Sequence, residues 1–204
     1  MLTAFTAGLL LITVSELGDK TFFITTLLAM RHSRRLVFVG AVAALAAMTV
    51  LSVLMGQVAT LLPAKLVHWT EVALFIGFGL KLLYNANQMS SAPPDNEVEE
   101  AKEAIDDASP KLAHWRDGWG IVAQSFGLTF MAEWGDRTQF TTVALSAGNH
   151  PLGVTVGAIA GHAVCAAIAV LGGCFVARRI SERAITALGG ALFLLFGIVA
   201  AAGR

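Results

Sequence analysis

A transmembrane helix needs about 20 apolar residues, and six runs of roughly that length emerge along the chain: residues 2–30, 36–62, 67–84, 118–147, 152–177 and 184–202. The first contains a charged block at 16–20, the second no charge at all, the third Glu71 near its start, and the fourth a second charged block at 133–137. Between the third and fourth runs the pattern changes abruptly. Residues 85–117 hold Pro93, Pro94, Pro110 and eight acids: Asp95, Glu97, Glu99, Glu100, Glu103, Asp106, Asp107 and Asp117. This reads as a solvated linker, with a short surface helix following the paired prolines. Three spans, a linker and three spans predict an all-α integral membrane protein. Its parts are a first three-helix repeat at 1–84, an acidic linker at 85–117 and a second three-helix repeat at 118–204.

The two halves match each other when shifted by 117 residues. Glu16-Leu17-Gly18-Asp19-Lys20-Thr21 falls on Glu133-Trp134-Gly135-Asp136-Arg137-Thr138, and Phe23 and Thr25 fall on Phe140 and Thr142. The register continues into the next span, where Val39-Gly40-Ala41 meets Val156-Gly157-Ala158. Shared alanines and leucines arise by composition alone, but a charged hexapeptide at the same depth of each half does not. A unit of three spans obliges its successor to start on the opposite side of the membrane, so six transmembrane helices as two inverted repeats are expected. Arg31, Arg34, Arg35, Lys81, Lys102, Lys111, Arg116, Arg178, Arg179 and Arg183 fall on the side of the linker, and only Lys65 and Arg204 on the other. The positive-inside rule then makes the linker cytoplasmic and both termini extracytoplasmic.

Composition sharpens this picture. The chain is 56% hydrophobic and 14% charged, against about 25% charged in an ordinary soluble domain. Its 14 basic and 14 acidic residues cancel, so no nucleic-acid-binding surface is indicated. Cys165 and Cys174 lie nine residues apart in one apolar run, about 13 Å along a helix, too far for a disulfide, and read as packing residues. The N-terminus has no basic segment or small-residue cleavage site of the kind a signal peptide shows, and is taken as part of the mature protein. Trp69, Trp115 and Trp119 fall at span ends, as interfacial anchors do.

Ionisable groups at mid-bilayer cost about 2.5–3.5 kcal/mol each on insertion scales, and three stand in each of two spans. On a continuous helix Glu16 and Asp19, like Glu133 and Asp136, project from one face at i, i+3. Gly18 and Gly135 between them permit either a close helix crossing or a local break that frees backbone carbonyls. Inverted repeats would bring both motifs together, so that four carboxylates converge. The simplest alternative is pairing within each motif, Glu16 with Lys20 and Glu133 with Arg137 at i, i+4. Yet two bases leave four acids with a formal charge of −2, which suits one divalent cation or two protons. Carboxylates with hydroxyls from Thr21, Thr25, Thr138 or Thr142 are hard ligands, appropriate to Ca²⁺, Mn²⁺ or Mg²⁺.

The doubled E-x-G-D-[K/R]-T motif in two three-helix repeats resembles the Gdt-one-like transporters, also called uncharacterised protein family sixteen, which include Golgi calcium/manganese transporters and bacterial MneA-type manganese exporters. The resemblance covers residues 2–83 and 118–202. It implies a multi-pass protein of a bacterial-type inner (plasma) membrane that exports a divalent cation, Mn²⁺ first and Ca²⁺ as the alternative, in exchange for protons. Glu16, Asp19, Glu133 and Asp136 match the family's acidic ligand positions, and Lys20, Thr21, Arg137 and Thr138 complete its motifs. No catalytic residue and no resident cofactor are expected, the metal being cargo. Two other readings compete: a metal-permeable channel, and an intramembrane aspartyl protease. The protease signature Gly-x-Gly-Asp fails here because Glu16 and Glu133 stand where its first glycine belongs. His162 matches Leu45 in the other half and reads as a packing histidine rather than a proton relay.

Overall fold

The computed structural model describes residues 1–89, 95–112, 118–179 and 181–202. Among them the secondary structure is helical throughout: α1 (Leu2–Glu16), α2 (Lys20–Arg31), α3 (Arg34–Ala59), α4 (Ala64–Gln88), α5 (Asp95–Leu112), α6 (Gly118–Glu133), α7 (Arg137–Gly148), α8 (Pro151–Arg179) and α9 (Glu182–Ala202). Four of these, α3, α4, α8 and α9, are long and apolar enough to cross a membrane, and α1 with α2 makes a fifth if the bent pair counts as one span. The chain is thus an all-α, multi-pass membrane protein. The first apolar run, expected as one span, is two helices inclined at 67°. The fourth run divides in the same way, into α6 and α7, of 16 and 12 residues. At 1.5 Å per residue neither reaches across a hydrocarbon core of about 30 Å alone.

The main packing pairs recur when the halves are exchanged. α1 lies along α8 and α6 along α3; α2 also meets α8 and α7 also meets α3; α4 lies along α9. Close approach requires small residues at the crossings. A Cβ added at Gly40 of α3 would collide with the carbonyl oxygen of Val122 on α6, and one at Gly157 of α8 with that of Phe5 on α1. Both pairs of positions are 117 residues apart, the register of the sequence match. Where α4 meets α9, Phe75 and Phe78 pack edge-on against Phe193, with ring centroids 6.1 and 6.0 Å apart. Outward faces of the long helices remain apolar: Leu54, Leu66, Leu80, Leu188, Leu195 and Ile198 are all exposed, as lipid contact requires.

The linker departs from expectation. The expected helix after the paired prolines forms, but it is 18 residues long and runs two residues past Pro110. Val98, Ala101 and Ile105, spaced for one helical face, turn inward against Phe22, Phe23 and Leu28 of α2, with Ala101 and Ile105 buried. Glu99, Glu100, Glu103, Asp106 and Asp107 face outward, and Asp106 approaches Arg31 at 3.7 Å. The acid count pointed to solvation, but an amphipathic stripe of three apolar residues suffices to dock the helix. Pro93, Pro94, Trp115, Arg116, Asp117 and Arg204 lie outside the described residues, as do the side chains of Lys111, Cys174, Arg178 and Arg179.

Candidate metal centre

Both halves break their first helix at one place. α1 ends at Glu16 and α2 begins at Lys20, while α6 ends at Glu133 and α7 begins at Arg137. The turns depend on Gly18 and Gly135, each at φ 79°, a left-handed conformation in which a residue bearing a Cβ loses about 1–2 kcal/mol. Asp19 and Asp136 follow in extended conformation, with ψ 166° and 162°, as the N-caps of α2 and α7. The expected i, i+3 arrangement on a continuous helical face is therefore corrected. A glycine turn separates each Glu/Asp pair, leaving the glutamate on a helix C-terminus and the aspartate on an N-terminus.

From these helix ends, Glu16, Asp19 and Glu133 each bring one carboxylate oxygen within 4.8 Å of the others. All three are buried, Glu16 to 2% and Glu133 to 1% exposure. The Thr21 hydroxyl donates to Glu16 Oε2 at 2.9 Å, and its counterpart Thr138 donates to Glu133 Oε2 at 3.0 Å. The same hydrogen bond thus fixes each glutamate in the same way. Glu16 Oε1, Glu133 Oε1 and Asp19 Oδ2 remain buried without a protein partner among the described residues. Orphaned carboxylate oxygens are costly in such surroundings, and three of them, all hard donors, fit a divalent cation.

Three of the four motif acids meet; Asp136 does not join them. Its Oδ2 accepts from the Thr138 backbone N–H at 3.3 Å and from the Thr138 hydroxyl at 3.2 Å, capping α7. Asp19 makes no such cap bond, because its Oδ1 is taken by Arg137 Nη2 at 2.9 Å, across the two halves. The same Arg137 nitrogen donates to the Ser15 carbonyl at 3.0 Å. Arg137 thus reaches across to the other half, a partnership that the spacing within its own motif does not suggest. Lys20, Asp19, Asp136 and Arg137 line a cavity of about 380 Å³ that extends to Lys81 and Asn85 of α4 and Glu100 of α5. Thr25 lines a smaller cavity beside Glu16. The Thr142 hydroxyl is spent on the Thr138 carbonyl at 2.8 Å.

Other residues at the site carried weak sequence signals or none. His162, read as packing, is buried with Nδ1 at 4.0 Å from Glu16 Oε1. Gln139 accepts from the Gly135 N–H at 2.8 Å and so braces the second glycine turn; its register partner is Phe22, and the repeat gave no hint of it. Cys165 donates to the Thr13 carbonyl at 3.2 Å and is buried, in keeping with a packing role. Gln57 bonds the Ser146 carbonyl of α7 at 2.9 Å, tying helices together.

Residues 4–90 and 121–203 match the family described as divalent cation/proton antiporter GDT1. The GDT1-like protein sll0615 of Synechocystis sp. is 60% identical over 199 residues, covering 98% of this chain and 97% of that one. Protein PAM71-homolog, chloroplastic, of Arabidopsis thaliana is 43% identical over 210 residues, and there the chain spans 95% of its own length but 58% of the relative's. GDT1-like protein 3 of Oryza sativa subsp. indica is 41% identical over 199 residues, covering 94% and 71%. No solved structure matches the chain. The aspartyl protease reading finds no support in these relationships. With both halves of the chain matched and a relative of nearly equal length at 60% identity, the protein belongs to the GDT1 family of divalent cation/proton antiporters.

Proposed function

We propose that this chain exports a divalent cation, Mn²⁺ in preference and Ca²⁺ as the alternative, from the cytoplasm in exchange for protons. The observation that carries the reading is the meeting of Glu16, Asp19 and Glu133, buried, from both halves of the chain and within 4.8 Å of one another. Together with Arg137 they sum to a formal charge of −2 when ionised, matched by one divalent cation. Thr21 and Thr138 hold the two glutamates in place for it. Asp136, 117 residues from Asp19, is the fourth acid and comes into play as the halves move relative to each other. Lys20, Thr25 and Thr142 complete the polar surroundings.

The architecture behind this function is six spans in two inverted repeats, 1–84 and 118–204, joined by a cytoplasmic linker at 85–117, in a bacterial-type plasma membrane. The recurrence of the main packing pairs on exchanging the halves, α1 with α8 as α6 with α3 and α2 with α8 as α7 with α3, supports it. Protons and metal use the same carboxylates, since a protonated carboxylate is a weak ligand and metal binding displaces its proton. The cavity reaching α4 and α5 supplies a polar route to the site from the linker side. The test is flux in proteoliposomes: with an imposed proton gradient, Mn²⁺ or Ca²⁺ should move against the protons, and metal movement should change the internal pH. Metal flux with no proton counterflow would instead identify a channel, and no flux with any divalent cation would end the reading.

A further inference from the structure

The two motifs carry equivalent charges, yet only one of their two equivalent ion pairs is formed. Arg137 Nη2 donates to Asp19 Oδ1 at 2.9 Å and to the Ser15 carbonyl, near the end of α1, at 3.0 Å. The repeat turns this arrangement into Lys20 on Asp136 and on the carbonyl of Ala132 near the end of α6. Among the described residues Lys20 makes no ion pair, although it lines the same cavity as Asp136. Asp136 instead accepts from the Thr138 N–H and hydroxyl, a cap that Asp19 lacks. The asymmetry coincides with a difference in the cluster. Asp19, its Oδ1 held by Arg137, keeps Oδ2 unpartnered and lies with Glu16 and Glu133, whereas Asp136 stands apart.

We infer that Arg137 and Lys20 are alternating positioning residues: Arg137 presents Asp19 to the cation in this state, and Lys20 presents Asp136 in the state open to the opposite side. The inference rests on the cation-site and inverted-repeat reading above. Exchanging the halves converts the cluster of Glu16, Asp19 and Glu133 into one of Glu133, Asp136 and Glu16. The glutamates therefore serve both states, and the aspartates take turns. Inverted repeats open a central site to one side and then the other as one repeat rocks against its mate, and an ion pair across the halves is placed to hold each end point. The two bases also account for the end point observed. A guanidinium donates from several nitrogens in a fixed fork, is less strongly hydrated than an ammonium, and holds a carboxylate better; here it grips a carboxylate and a carbonyl together. Without a cation, the Arg137 state is the favoured one.

The experiment is pulsed electron double resonance between spin labels on the full chain in detergent, without metal and with Cys165 and Cys174 replaced. Ser33→Cys with Ala184→Cys reports the linker side, and Leu66→Cys with His150→Cys the opposite side; all four positions are exposed. Exchanging the bases, Lys20→Arg with Arg137→Lys, conserves every charge and should raise the ratio of the exchanged state to the present one by about tenfold, the scale of one charged hydrogen bond. The linker-side distance should then shorten and the opposite one lengthen. Adding Asp136→Asn should reverse both changes, which a merely structural role for the bases does not require. Lys20→Arg alone, leaving the Arg137 pair intact, should move the distances the same way to a smaller degree, so the test does not depend on the folding of one variant. Wild-type distances in both base variants, or a shift that survives Asp136→Asn, overturns the inference. Mn²⁺ flux through the wild type separates the two readings: no flux with any divalent cation removes the cation site and this inference together, whereas flux with unmoved distances removes this inference alone.

Discussion

Glu133→Gln separates the two demands made on the carboxylate cluster. Glu133 is 1% exposed, with Oε2 held by Thr138 at 3.0 Å and Oε1 without a partner. The substitution keeps shape and the acceptor while removing one charge. Two ionised carboxylates 4.8 Å apart, the outer limit of the cluster, repel by about 3.5 kcal/mol at an effective dielectric of about 20. Glu133 has two such neighbours, so about 7 kcal/mol of gross repulsion, partly offset by Arg137, opposes the fully ionised, metal-free site. The variant should therefore be at least as stable as wild type without metal, yet bind metal poorly. Wild type in Mn²⁺ at about 100 times its Kd gains about 2.7 kcal/mol, worth about 5–10 °C in Tm for a chain of this size. A variant whose Kd rises about a hundredfold gains about 0.4 kcal/mol, about 1 °C. Thermal unfolding in detergent, with and without Mn²⁺, reads both quantities. A variant that melts lower than wild type without metal and still shows the full Mn²⁺ shift would refute the reasoning, since Glu133 would then be a structural group and not a ligand.

Three further predictions concern the turn, the orientation and the proton. Gly135→Ala forces a side chain into φ 79°, where its Cβ would touch nothing, so the loss should be the backbone cost alone, about 1–2 kcal/mol; an unchanged Tm would contradict the left-handed turn. With Cys165 and Cys174 replaced, Glu103→Cys should resist an impermeant thiol reagent added to intact cells and His150→Cys should react, both positions being exposed; the reverse labelling would invert the transport direction. Apparent Mn²⁺ affinity in detergent should fall as pH drops from about 8.5 to 5.5, because protons occupy the same oxygens; an affinity indifferent to pH would refute competition.

How much of this was legible in the sequence depended on the kind of signal. The apolar runs located the helices to within a few residues, as with α3 at Arg34–Ala59 against an expected 36–62. The 117-residue register named four acids, of which Glu16, Asp19 and Glu133 meet and Asp136 stands apart. What it missed was conformation: Gly18 was visible as a point of freedom, but whether the chain uses it for a crossing or a break depends on the φ it adopts. Partnership was equally hidden. Spacing along one helix suggested Arg137 with Glu133, whereas the bridge to Asp19 forms only once two distant segments are packed. His162, whose counterpart is Leu45, was read as packing, and the repeat gave no indication that it would stand beside Glu16. In the linker, the density of acids drew attention away from Val98, Ala101 and Ile105.

The helix breaks also determine which acids depend most on a bound cation. Asp19 and Asp136 stand at the N-cap positions of α2 and α7, where the partial positive end of a helix favours a carboxylate by about 0.3–1 kcal/mol, and more when partly buried. Glu16 and Glu133 end α1 and α6, where the partial negative end disfavours one by a similar amount. Asp19 has Arg137 at 2.9 Å, whereas among the described residues each glutamate accepts a hydrogen bond from a threonine hydroxyl. The glutamates thus carry the uncompensated charge that a cation would offset, and the aspartates are largely satisfied by the protein. Neutralising substitutions should accordingly divide by position. Without metal, Glu16→Gln should raise Tm or leave it unchanged, while Asp19→Asn should lower it, because Arg137 then loses the carboxylate it pairs with, a change that costs about 3–5 kcal/mol when such a pair is fully buried and less here, where Arg137 is partly exposed. Both should weaken Mn²⁺ binding. Metal-free unfolding of the two variants side by side decides the matter: a lower Tm for Glu16→Gln than for Asp19→Asn would mean that the helix ends do not set the electrostatics of this site.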